Sequence, residues 1–178
     1  HPKIEKEEVI YNGIITNITQ RKKAEIALKS LATNYASLSG KPFYEAVCSH
    51  ISSLLNLDYV FVGQIIHKTN EVNVLGGCAL GAPMGAMQYN LSNTPCAIVS
   101  DSNICHFLES VQEKFPKDDL LKIMDIEGYV GIPIKDKSDH VIGILVGLNT
   151  KPIVETDNLT SFFNIFVDRI SAEMVSQK

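Results

Sequence analysis

The chain has 178 residues, 45% of them hydrophobic and 20% charged, with a net charge of -4, enough to bury one core of ordinary domain size with appendages. Its mixed, slightly acidic charge offers no basic field for nucleic acid, no apolar run approaches the roughly 20 residues of a transmembrane helix, and the Lys- and Glu-rich first residues do not form a signal peptide. A cytoplasmic location with no direct membrane insertion is expected, and the start at His1 in mid-strand pattern reads as a piece cut from a longer protein.

From the N-terminus, residues 13–18 are a short apolar strand that turns directly into an amphipathic helix. The apolar positions Ala24, Leu28, Leu31, Tyr35 and Leu38 step by four and three residues, the spacing of a coiled-coil seam rather than of a face on a globular core. Gly40-Lys41-Pro42 breaks the pattern, and Pro42 suits the first turn of a new helix. Phe43, Val47, Ile51 and Leu54/Leu55 then recur at helical spacing, predicting a core-facing helix that ends near Asn56.

Residues 58–67 and 71–80 are β-branched and aromatic around the turn Lys68-Thr69-Asn70, which predicts a hairpin. A Gly-rich loop follows, then a short strand at 87–91. Thr94-Pro95 offers a cap and first-turn proline for a short helix through Val99, residues 104–108 read as a short strand, and Asp118/Asp119 start another short helix ending near Glu127. Two further strands, 128–134 and 140–149, flank the charged turn Lys135-Asp136-Lys137-Ser138-Asp139. Pro133 cannot donate to a ladder and is expected where its strand reaches an edge or bulge; Gly143 and Gly147 are expected to admit a packed helix rather than a ligand. The last helix spans 156–174 with Thr156 or Asp157 as cap, and its Phe163, Val167, Ile170 and Met174 again step like a seam.

The four cysteines, Cys48, Cys78, Cys96 and Cys105, lack Cys-x-x-Cys spacing and have no paired His-x-x-x-His, so they read as small buried apolar residues and no metal site is expected. No phosphate-cradling Gly-rich loop is present.

Two stretches resemble known families. Asn17-Ile18-Thr19-Gln20-Arg21-Lys22 is similar to the end of a PAS sensor domain, whose last strand finishes in Asp-Ile-Thr-Glu-Arg-Lys before a signalling helix. Tyr89-Asn90-Leu91, Thr94-Pro95-Cys96, Phe115-Pro116-Lys117-Asp118, Gly128-Tyr129-Val130-Gly131-Ile132-Pro133-Ile134 and Val141-Ile142-Gly143-Ile144-Leu145 resemble, in order and spacing, the GAF domains of bacterial signalling proteins. The resemblance implies an α+β fold, a GAF-like antiparallel sheet flanked by helices with a long N-terminal linker helix. It divides the chain into a PAS strand remnant at 1–18, a coiled-coil signalling helix at 19–38 and a GAF domain at 39–178. It also implies a noncatalytic sensory or regulatory module of a multidomain protein, such as a sensor histidine kinase or a cyclic-di-GMP enzyme, forming a homodimer through its terminal helices. Its ligand would lie between the sheet and the irregular middle segment, against Tyr89, Thr94, Cys96, His106, Phe107 and Tyr129; the resemblance names no cofactor.

Three chemical variants of that fold fit less well. The Cys105-His106 pair is where phytochrome-type relatives attach a bilin, but the distance to Tyr129 and the flanking aromatics differ. Lys114-Phe115 with Asp118-Asp119 only echoes the cyclic-nucleotide pattern. A methionine sulfoxide reductase would need Cys78, Cys96 and Cys105 gathered at one end of the sheet, with a cation to stabilise the thiolate, for which His106 is the one candidate. The remaining alternative is a structural dimerisation module whose pocket is collapsed.

Overall fold

A computed structural model of the chain describes Lys22, Ile26, Lys29 and residues 35–101, 104–154 and 159–177. The predicted strand at 13–18, the seam positions Ala24, Leu28 and Leu31 and the capping residues Thr156 and Asp157 lie outside the described residues. Lys22, Ile26 and Lys29 are helical and exposed.

The elements in chain order are α1 (Gly40–Leu55), β1 (Tyr59–Ile66), β2 (Glu71–Ala79), β3 (Ala82–Pro83), β4 (Gln88–Asn90), α2 (Pro95–Ser100), β5 (Cys105–Phe107), α3 (Val111–Lys114), α4 (Asp119–Ile123), β6 (Gly128–Lys135), β7 (Val141–Asn149) and α5 (Leu159–Ser176). Among the described residues the strands form one seven-stranded sheet in the order β3-β2-β1-β7-β6-β5, with β4 also paired to β2. Every pairing is antiparallel. Two hairpins, β1-β2 and β6-β7, thus meet at the centre through β1 and β7. The chain has the predicted α+β architecture; β3 and α3 are additions that the sequence pattern did not reveal.

Period-2 alternation divides the apolar residues between two cores, one on each face of the sheet. Val60, Val62, Val130, Ile132, Ile134 and Leu145 face α1 and α5, where Phe43, Val47, Ile51, Phe163, Phe166 and Ile170 cover them. Phe61, Ile65, Val72, Val74, Tyr129, Ile144, Val146 and Leu148 face the other way, beneath α2, α4 and the loops.

Register decides which residues of β2 belong to which core. Val62 pairs with Gly76 and Gly63 with Val74, so Leu75 has no counterpart on β1. This bulge shifts the alternation by one residue. Val72 and Val74 therefore join the core under α2, whereas Cys78 joins the core under α1.

Gly143 and Gly147 serve packing, as expected. A Cβ on Gly143 would stand 2.7 Å from Cε of Met174, and one on Gly147 would stand 2.8 Å from the ring of Phe163, so α5 lies directly on the backbone of β7. Pro133 pairs with Ile144 of β7 but lies beyond Gly131, the last residue of β6 that β5 reaches; one side of the strand is an edge there and a missing N–H costs no ladder bond.

The expected seam on the last helix is instead part of the core. Phe163 and Ile170 are fully buried and Met174 is 4% exposed, all covered by the domain's own sheet. The same four-and-three spacing serves a globular face here because α5 lies against a flat sheet rather than a single partner helix. Its outward residues are Ser161, Asn164, Asp168, Ala172, Val175 and Ser176, a mostly polar stripe.

Both ends of the domain meet at one corner. Tyr35, at the end of the linker, is 5% exposed and packs edge-on against Phe43 and His50 of α1. The backbone N–H of Gly40 donates to Oε1 of Glu173 on α5 at 2.7 Å, and Arg169 and Gln177 donate to the same carboxylate at 3.1 and 2.8 Å.

Candidate functional site

On the face away from α1 and α5, the sheet and the irregular segment border a half-open cavity of about 40 Å³. Its floor is Phe61 of β1, Tyr129 of β6 and Val146 and Leu148 of β7. Met87 and Tyr89 close one side, Pro95 and Cys96 of α2 another, and Asp118, Leu120, Leu121 and Met124 around α4 form the cover. For scale, an engineered apolar cavity of about 150 Å³ admits benzene; this one has room for a few heavy atoms.

Its polar centre is Cys96. The hydroxyls of Tyr89 and Tyr129 both donate to its Sγ at 3.2 Å. Proline at the first helical position and Thr94 in extended conformation set the start of α2, which aims Cys96 at the sheet. Tyr129 reaches it because position 131, two residues along the same face of β6, is glycine: a Cβ there would collide with the Tyr129 hydroxyl and stand 2.7 Å from Val99.

Burial pushes the Cys96 thiol up to about 11, although the two tyrosine hydroxyls pull in the opposite direction. Burial likewise raises the Tyr129 phenol well above its usual range. Cys96 is thus a neutral thiol at physiological pH, not a nucleophilic thiolate. Asp118, 8% exposed, caps α4 by accepting from the N–H groups of Leu120 and Leu121 at 3.1 and 3.4 Å. Its carboxyl is pushed up by burial and drawn partly back by those two backbone donors. Among the described residues the cavity lining contains no Lys, Arg or His.

Of the residues expected at the wall, Tyr89, Cys96 and Tyr129 come together around the cavity. Thr94 is buried beside it, but its hydroxyl donates to the Leu91 carbonyl at 2.7 Å. Phe107 is half-buried behind Tyr129, its ring edge-on to Phe115 at 5.2 Å. His106 is exposed and lies opposite Val130 on β6, on the α1 and α5 side of the sheet. Neighbouring strand residues face opposite ways, so Phe107 and His106 cannot both border one cavity.

The rest of the lining, Pro95 of α2, Phe61, Val146 and Leu148 of the sheet, and Met87, Asp118, Leu120, Leu121 and Met124 of the irregular segment, is not part of the expected wall. Phe61 was legible in principle from strand alternation. Asp118 was legible as a cap, but not as a buried carboxyl.

The cysteines do not gather as a thiol mechanism would need. Cys78 packs with Cys48 in the core under α1, whereas Cys96 and Cys105 pack on the other face. Among the described residues no group of three or more His, Cys, Asp or Glu side chains could hold a metal ion, and no helix is long and apolar enough to cross a membrane.

No known family model matches the sequence, and neither does any curated protein. Solved structures do match in shape. The GAF domain of a phosphoenolpyruvate-protein phosphotransferase from Coxiella burnetii superimposes with a TM-score of 0.70 at 13% identity, covering 87% of this chain and 94% of that one. The phycocyanobilin-bound GAF domain of a cyanobacterial phytochrome gives 0.68 at 15% identity, covering 86% and 94%. Reduced fRMsr of Staphylococcus aureus gives 0.60 at 19% identity, covering 84% and 94%. This chain has the GAF fold.

Proposed function

We propose that this chain is a noncatalytic sensory or regulatory GAF domain of a multidomain bacterial signalling protein, acting in the cytoplasm and preceded by the end of a PAS domain and a signalling helix. A small molecule bound over Cys96 biases the packing of the terminal helices in a homodimer, and an output module such as a histidine kinase or a cyclic-di-GMP enzyme reads that bias. The observation that carries this reading is the cavity itself, closed on one side by short, irregular elements and centred on hydrogen-bonding groups with no activated nucleophile. The corner where Tyr35, α1 and the Glu173 end of α5 meet supports a relay, because both ends of the domain are tied there. Since the predicted seam of α5 faces inward, the dimer contact is assigned mainly to the linker helix.

Among solved structures of this fold, one is a phytochrome domain bound to phycocyanobilin. A tetrapyrrole far exceeds about 40 Å³, so a covalent bilin is not part of this proposal. The reductase alternative is disfavoured by the separation of Cys78 from Cys96 and by the neutral Cys96 thiol. The small volume does favour one second reading, a dimerisation module with a collapsed pocket. A thermal-shift screen of the full chain against a metabolite library separates the readings. A sensor gains stability with at least one compound, rising as the logarithm of one plus ligand concentration over Kd; a spacer gains with none, and thiol-dependent turnover of methionine sulfoxide would identify an enzyme.

A further inference from the structure

The surface that the cavity over Cys96 offers to an occupant is almost wholly carbon. Its hydrogen-bonding groups are turned on one another. The single O–H of Tyr89 and that of Tyr129 both go to the Cys96 thiol, and Oδ1 of Asp118 accepts from the N–H groups of Leu120 and Leu121 on the helix that covers the space. What faces an occupant is the Phe61 ring, Val146 and Leu148 on the sheet side, with Met87, Leu120 and Met124 around it.

Such a surface selects against charge and against hydrogen-bonding groups. An ion or an amide entering it would give up its water without a set of partners to replace it, and that cost falls on either sign of charge. An apolar molecule has no such bonds to lose and gains by the removal of its surface from water. Volume limits its size: about 40 Å³, against the roughly 150 Å³ that admits benzene, leaves room for about three heavy atoms. Met87 and Met124, unbranched and polarisable, are the lining side chains best able to refit around an occupant. Resting on the sensory reading above, we infer that the ligand of this cavity is a small uncharged apolar molecule, held by burial of its short body and by no hydrogen bond, and that ammonium ions, carboxylates and phosphates are excluded.

The test uses four probes of similar size, dimethyl sulfide, dimethylammonium, acetate and acetamide, titrated at constant ionic strength into the full chain carrying ¹³C-methyl methionine. Met87 and Met124 line the cavity, and Met174 on the opposite face is the internal control. Dimethyl sulfide is expected to move the Met87 and Met124 methyls saturably while Met174 stays still, with a Kd on the order of 1 mM given the ceiling on affinity per heavy atom. The cation, the anion and the amide are expected to bind about tenfold more weakly or not at all. Leu120 is half-buried, and Leu120→Asn keeps its size while giving the cover an amide; it is expected to weaken dimethyl sulfide about fivefold, with the Met174 methyl at its parent position as the sign of an intact fold. If any of the three polar probes binds as tightly as dimethyl sulfide, or a folded Leu120→Asn binds it with parent affinity, the apolar assignment is overturned while the sensory cavity stands. If no probe moves Met87 or Met124, the cavity takes no ligand, and the sensory reading fails together with this inference.

Discussion

Two single residues set the chemistry of this domain. Gly131 is what lets Tyr129 reach Cys96, because any side chain there collides with the phenol and crowds Val99. Gly131→Ala is expected to break the Tyr129–Cys96 hydrogen bond and to cost about 1–3 kcal/mol by overpacking, read as a lower urea midpoint at unchanged slope; a stability equal to that of the parent chain would show that the strand yields without strain. At the opposite corner, burial alone would raise the Glu173 carboxyl, but the donors from Gly40, Arg169 and Gln177 outweigh it and hold the pKa below the usual value of 4.5. A depressed carboxylate contributes stability that is present above the unfolded pKa and is lost as pH falls through the folded one, because the unfolded chain takes up the proton first. Glu173→Gln is therefore expected to be less stable than the parent at pH 7 by about 1.5–3 kcal/mol, with a gap that narrows below about pH 4.5. Urea titrations of both proteins at pH 3 to 7 check this, and a gap that is constant or widens on acidification contradicts it.

At the scale of elements, the bulge in β2 distributes side chains between the two cores. Deleting Leu75 would restore unbroken alternation, turning Val72 and Val74 away from the cavity face or Cys78 away from α1. A one-residue slip exchanges the faces of everything beyond it, so the deletion is expected to abolish cooperative unfolding; a sharp thermal transition within a few degrees of the parent would refute the role given to the bulge. The short elements α2 and α4 act differently. They are held by a first-turn proline and by the Asp118 cap, and α4 is only five residues long, below the length at which a helix has stability of its own. The cover of the cavity thus depends on tertiary contacts with Phe61, Tyr129 and Val146, and belongs to the part of the fold most open to ligand-driven change.

For the whole molecule, the proposed dimer rests on the linker, since α5 spends Phe163, Ile170 and Met174 on its own sheet. Leu31→Glu is expected to shift the full chain from dimer to monomer in sedimentation at micromolar concentration while leaving the thermal transition of the domain in place; a monomeric parent chain, or a variant that sediments identically, would remove the dimer from the mechanism. By itself the sequence determined most element positions and the fold class, because strand alternation, turn residues and capping prolines act over a few neighbours. The family resemblance also named Tyr89, Cys96 and Tyr129, three residues that lie around one cavity. Only the tertiary structure decided that Asp118 is buried at the cavity, that His106 turns to the other face, that Cys78 is separated from Cys96 and that the last helix faces inward. Each of these depends on register, on a bulge or on which surface a helix meets, and such pairings are made by residues far apart in the chain, where local periodicity carries no information.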